Sequence, residues 1–153
     1  MPERISATQR SRNMAAIRSQ HTAPELLLQH ELYARGFRFR LHDKELPGKP
    51  DLVLPRWRVA IFVHGCFWHA HGCQFSRMPA TNTGYWARKL SRNAFRDAVA
   101  QLSLISAGWR VAVVWECASR RVVARRSYGE KVDEIALWIR STSSPSYCEI
   151  SMF

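Results

Sequence analysis

Ten consecutive residues, 64–73 (HGCFWHAHGC), hold three histidines, two cysteines and two bulky aromatic rings. Zinc takes thiolate and imidazole donors, four at a time, in a tetrahedron. Cys66, His69, His71 and Cys73 are candidate donors in this stretch. Cys117 directly follows the apolar run WRVAVVWE, a strand that can carry it to the same sheet edge. Three cysteines and one histidine would close a structural site with no open position. Spacing alone leaves His69 and His71 as alternatives for the fourth place. Cys148 lies apart in a serine-rich segment and reads as a bystander. A second kind of chemistry is offered by Asp51, behind the turn PGKP, because carboxylate oxygen is what magnesium binds.

These groups need elements to hold them. HTAPELLLQHELYARG reads as a helix, with Thr22 as N-cap, Pro24 in the first turn, Glu25 completing a capping box and Gly36 at the end. FRFRLH (37–42) alternates apolar and basic residues like a half-exposed strand. DLVL and RVAIFVH read as two further strands, the second buried on both faces. YWARKLSRNAFRDAVAQLSLISAG is a long helix, WRVAVVWE a buried strand and EKVDEIALWIR a last helix. Residues 8–19 suggest a short basic helix, and 141–153 a loose polar tail. The order predicts an α/β domain, a small mixed sheet with helices on its faces. Ligands on such sheets collect at strand ends, where Asp51 and His64 both fall.

The totals narrow the class. The chain has 153 residues, enough for one domain with a real core. Its 23 lysines and arginines against 12 acids give a formal charge of +11, which points to a polyanion such as nucleic acid. No apolar run approaches the roughly 18 residues of a membrane span, and the polar N-terminus does not read as a signal peptide, so the expected address is the cytoplasm. In a reducing compartment cysteines set among histidines point to metal rather than disulfides.

Taken together, SRNMAAIRSQHTAPE, PGKPDLVL, VAIFVHGCFWHAHGC, PATNTGYWARKLSRN and GWRVAVVWEC resemble the very short patch repair (Vsr) DNA mismatch endonuclease family, over roughly residues 8–140. The resemblance implies a restriction-endonuclease-like, PD-(D/E)XK-type core with a structural zinc loop. It implies an arm (1–20) that contacts DNA, an endonuclease domain (21–140) and a tail (141–153). The implied activity is a strand-specific nick 5′ of the mispaired T in a T:G duplex, leaving a 5′-phosphate and starting repair of deaminated 5-methylcytosine. The implied setting is a bacterial nucleoid, with a repair polymerase and mismatch-repair accessory proteins as possible partners. The enzyme is expected to be a monomer.

The resemblance also assigns residues. It places zinc on Cys66, His71, Cys73 and Cys117, which frees His64 and His69 for chemistry. Asp51 becomes a magnesium ligand together with the backbone carbonyl of Val63. In the wider superfamily the second strand ends in an acid, one residue, then lysine. Phe62, Val63 and His64 stand there instead, so the second acid is absent and His64 replaces the lysine. His69 is implied as general base, a role imidazole commonly fills at neutral pH. Glu25 is implied as a further catalytic acid, a role compatible with capping. Met14, Phe67, Trp68 and Trp86 are implied to insert beside the mismatch, and Lys89 and Asn93 to read it. Trp86, Lys89 and Asn93 lie at i, i+3 and i+7, on one helix face. Arg77, Arg88, Arg92 and Arg96 would hold phosphates. The family often carries consecutive histidines where Ala70 and Gly72 stand here, so the preferred flanking sequence is open. Two other functions share the same features: a restriction-like endonuclease on matched DNA, and a non-catalytic, zinc-stabilised module that binds damaged DNA.

Overall fold

The computed structural model describes residue 6 and residues 21–120 and 127–151. The basic helix expected at 8–19, Met14 and the arm at 1–20 lie outside the described residues, apart from residue 6. The element order is α1 (Ala23–Ala34), β1 (Arg40–Leu41), β2 (Leu52–Leu54), β3 (Val59–His64), α2 (Thr83–Ser106), β4 (Arg110–Trp115), α3 (Tyr128–Arg140) and β5 (Tyr147–Ile150). Short 3-10 turns follow β2 (Pro55–Trp57) and β4 (Glu116–Ser119).

The five strands form one mixed sheet in the order β1-β2-β3-β4-β5. β1, β2 and β3 pair antiparallel, while β3, β4 and β5 pair parallel. β3 and β4 each carry apolar side chains at every position but one, because both their faces are covered. Period-two alternation divides them cleanly. Val59, Ile61, Ala112 and Val114 pack with Leu28 and Leu32 of α1 and Ile135 and Ile139 of α3. Ala60, Phe62, Val111, Val113 and Trp115 pack with Leu104 of α2, in a cluster that ends at Cys66 and Cys117. The same alternation puts His64 on the Phe62 side of β3, toward α2. Among the described residues no helix is long and apolar enough to cross a membrane.

The helix starts show why the chain folds locally as it does. Thr22 accepts a hydrogen bond from the backbone of Glu25 (3.4 Å), as an N-cap should. The expected capping box is only half made, because the Glu25 carboxylate bonds the amide of His21 (2.9 Å) rather than that of Thr22. α3 begins two residues earlier than the sequence reading placed it, at Tyr128, where Ser127 and Glu130 form a complete capping box.

Two expectations are corrected. The strand over 37–42 shrinks to Arg40–Leu41, since β2 offers only a three-residue ladder and Phe37 turns into the core. Residues 141–153 are not a loose tail throughout: Tyr147–Ile150 is a strand paired along β4 from Val111 to Val114. Ile150 is buried in the core cluster and Cys148 packs against it. Two inward residues in a serine-rich run make too faint a pattern to stand out, yet the open edge of β4 needs a partner for its backbone. The domain therefore extends at least to residue 150.

Candidate active site and metal centre

Two groups of side chains collect at the C-terminal ends of β3 and β4. The first is the cysteine–histidine group. Cys66 and His71 and Cys73 come from the loop after β3, and Cys117 from the turn after β4. Their donor atoms all lie within 4.8 Å of one another. Cys117 Sγ and His71 Nδ1 are 3.6 Å apart. Two ligands on one tetrahedral zinc, at ordinary bond lengths, lie about 3.6 Å apart, so the donor set fits that ion in type and in spacing.

The loop reaches this shape through His71 N–H donating to Cys66 O (3.0 Å), with Ala70 and Gly72 in left-handed backbone. His71 stacks flat on Trp115 (4.0 Å between centroids), and Trp115 Nε1 donates to Glu149 of β5 (2.5 Å). Burial pushes the Cys66 thiol up, against a hydrogen bond from the Cys117 backbone that lowers it. A bound cation would reverse that preference, because metal ligation takes the thiolate. Cys148 lies outside this group.

The second group lines a cleft of about 500 Å³. Asp51, at the mouth of β2, accepts a hydrogen bond on Oδ2 from Val63 N–H (2.7 Å). Burial, with some repulsion from Glu25, raises its carboxyl to about 6 despite that bond. Glu25 is almost fully buried, and its Oε2 lies 2.9 Å from His42 Nε2. His64 and His69 stack face to face, 3.8 Å between centroids and 2° from parallel. Burial, aided by the neighbouring His69, lowers His64 to about 3, so its ring is neutral across the working range. His69 Nδ1 lies 2.6 Å from Asp97 Oδ2. A carboxylate can only accept, so Nδ1 carries the proton and the neutral ring keeps a lone pair on Nε2.

His69 is thus grouped with His64 and Asp97, apart from the cysteines. The sequence reading named neither Asp97 nor His42 nor Lys49, all at or beside this cleft. Asp97 continues the helical stripe of Trp86, Lys89 and Asn93 by one more turn, a spacing that could have revealed it.

The aromatic residues form a third feature beside the cleft. Phe67, Trp68 and Trp86 meet edge to face, with centroids 5.0–5.9 Å apart. All three are only partly buried. Lys89 Nζ lies over the rings of both tryptophans, at 5.5 and 5.8 Å. Asn93 Nδ2 donates to the carbonyl of Trp68 (3.0 Å) and its Oδ1 accepts from Arg96. Loop and helix are therefore tied together at the point where the rings gather.

Comparison with known proteins decides the family. A profile described as DNA mismatch endonuclease Vsr matches residues 3–75. The type II nicking enzyme V.XorIIP of Xanthomonas oryzae pv. oryzae is 46% identical over 76% of this chain and 86% of its own length. The type II nicking enzyme V.NmeAIP of Neisseria meningitidis serogroup A is 38% identical over 88% of this chain and 97% of its own. The DNA mismatch endonuclease Vsr of Escherichia coli K12 is 47% identical over 72% of this chain and 71% of its own. The chain belongs to the Vsr DNA mismatch endonuclease family. Met14 alone among the assigned residues lies outside the described part.

Proposed function

We propose that this protein is a DNA endonuclease that nicks one strand of a T:G-mismatched duplex 5′ of the mispaired T, leaving a 5′-phosphate. The observation that carries the reading is the pairing of His69 with Asp97 beside Asp51. A free imidazole acceptor, oriented by a carboxylate, stands next to a buried carboxylate in a cleft on a strongly basic protein. Membership of the Vsr family and the names of its nicking relatives support it. The sheet with Asp51 at the start of β2 is then read as a restriction-endonuclease-like core.

His69 Nε2 takes the proton of the attacking water, whose oxygen bonds to phosphorus as the P–O3′ bond breaks. The 3′-oxygen leaves as a hydroxyl once solvent protonates it. Asp97 holds the His69 ring in register and stabilises the imidazolium that forms. A magnesium ion held by Asp51 and the Val63 carbonyl would offset the charge building on the phosphate. His64 packs against His69 as a neutral ring and restrains its rotation near the leaving group. Glu25 adds a second carboxylate to the cleft, where the superfamily's second strand acid is missing. Zinc on Cys66, His71, Cys73 and Cys117 would stiffen the loop that carries His69, Phe67 and Trp68. Those two rings with Trp86, joined by Met14 from the arm, insert beside the weakly stacked wobble pair. Lys89 and Asn93 read its edges, and surrounding arginines hold the phosphates.

The test is a nicking assay on matched and T:G duplexes in varied flanks, with magnesium or with chelator. Nicks confined to the T:G duplex, and reduced about 10²–10⁴-fold in His69→Ala, are the expected result. Cutting of matched duplex would replace the reading with a restriction-like enzyme, and tight binding with no product would replace it with a non-catalytic binding module. A companion variant, Asp97→Asn, is expected to lower kcat about 10–100-fold while KM for the mismatched duplex stays near its original value. A merely structural Asp97 would change both together or neither.

A further inference from the structure

His42 belongs to no motif and takes no part in the reading above, yet it lies against two acids of the cleft, Glu25 and Asp51. Its Nε2, Glu25 Oε2 and a carboxylate oxygen of Asp51 lie within 4.8 Å of one another. The backbone around it is held firmly: His42 N–H donates to Asp51 O (3.0 Å), and its φ of 49° lies in the left-handed region that a side chain seldom adopts. Such strain persists only where the surroundings enforce it. The His21 ring meets the His42 ring edge-on at 4.9 Å and helps to fix its plane.

We propose that Glu25, His42 and Asp51 form a mixed nitrogen–oxygen site for a divalent cation, one that takes manganese in preference to magnesium. The proposal deepens the reading of Asp51 as a cation ligand and rests on it. Three observations carry it. His42 Nε2 and Glu25 Oε2 are 2.9 Å apart, and neighbouring donors on an octahedral ion with bonds of about 2.1 Å lie about 3 Å apart. Both side chains are nearly closed to solvent, with 12% and 3% of their surface exposed, so they are already stripped of water as ligands must be. Glu25 Oε2 accepts from His21 N–H and Asp51 Oδ2 from Val63 N–H, so each acid keeps lone pairs for an ion, and a neutral His42 ring with its proton on Nδ1 offers the Nε2 lone pair to the same ion. Two carboxylates this close repel one another, and a cation between them removes that cost. The imidazole sets the choice of ion: magnesium favours oxygen and dehydrates reluctantly, whereas the larger manganese ion gives up a water for an imidazole at smaller cost.

The experiment uses the zinc-loaded full chain without DNA, titrated with Mn²⁺ and followed by electron paramagnetic resonance. Electron spin-echo modulation then reports nitrogen bound to the ion. The wild type is expected to bind Mn²⁺ at least about tenfold more tightly than competing Mg²⁺ and to show ¹⁴N modulation. His42→Gln is expected to lose that modulation and to bind Mn²⁺ about tenfold more weakly, with Mg²⁺ competition changed by less than about twofold. His42→Asn serves if the glutamine variant does not fold, and if neither does, modulation must persist in both His64→Gln and His69→Gln, its loss in either overturning the proposal. Bound Mn²⁺ without nitrogen modulation overturns the proposal, as does modulation that survives in either His42 variant, since His64 or His69 would then be its source. None of these readouts depends on cleavage, so a failed T:G assay and a failed nitrogen signal are separate results.

Discussion

Asp51→Asn is expected to lower nicking by about 10³-fold or more, since a cation that offsets phosphate charge is worth several kcal/mol, while the protein becomes more stable at pH 8. Both halves follow from the position of one carboxyl. Burial and the nearby Glu25 raise Asp51 to about 6. The folded state therefore favours the protonated acid. Native Asp51 binds a proton more tightly than the unfolded chain does, so stability is lost as pH rises from about 4 through about 6. Above that range the ionised group burdens the fold unless a cation answers it. Asparagine keeps an acceptor for Val63 N–H and removes the charge. Without added magnesium, its melting temperature should exceed the wild type's at pH 8 by a few degrees, about 2–4 °C per kcal/mol, and the difference should vanish near pH 4. Magnesium should raise the wild-type value and leave the variant's unchanged. Thermal melts at the two pH values, beside single-turnover nicking, check this. A variant that is inactive and also less stable at pH 8 would mean that Asp51 serves the fold instead of the reaction.

The second large effect concerns the cysteine–histidine group. Residues 65–82 link β3 to α2 with no regular element among them, yet they carry His69, Phe67 and Trp68. Little apolar packing is available to a loop of that kind, and a metal ion joining Cys66, His71 and Cys73 to Cys117 beyond β4 would supply what is missing. Structural zinc sites contribute on the order of 10 kcal/mol in small domains. Cys117→Ser should therefore lower the melting temperature by about 10 °C or more and abolish nicking, with zinc falling from about one per chain toward none. Cys66→Ser should behave the same way. Cys148→Ser, at a thiol that burial raises to about 11 and that lies outside the group, should keep its zinc and its activity. Metal analysis by mass spectrometry together with calorimetry reads all three. Folded, active Cys117→Ser without zinc would remove the staple from the account.

Where the chain's own spacing does the work, the sequence was enough. Thr22 before Pro24, Gly36 and Gly108 after helices, and the apolar runs of β3 and β4 act through neighbours a few residues away, and the elements appear where those signals lie. Cys66, His71 and Cys73 are close together for the same reason, and the strand before Cys117 aims it at them. Period-two alternation along VAIFVH likewise determined that His64 shares a face with Phe62.

The partners of those groups were a different matter. Donor type left His69 and His71 equivalent as metal ligands. The family resemblance assigned zinc to His71, and in the folded loop His71 is laid on Trp115 beside Cys117 while His69 turns toward α2 to meet Asp97, 28 residues away. His42 and Glu25 are 17 residues apart, and neither spacing nor composition couples them. β5 was hidden because its pairing energy comes from the open edge of β4, and a four-residue strand carries almost no signal of its own. Local sequence determined which donors exist and which elements bear them, since backbone geometry acts within a few residues. The tertiary structure alone decided which donors face one another, because that depends on sheet order and helix packing, set by the burial of residues far apart in the chain.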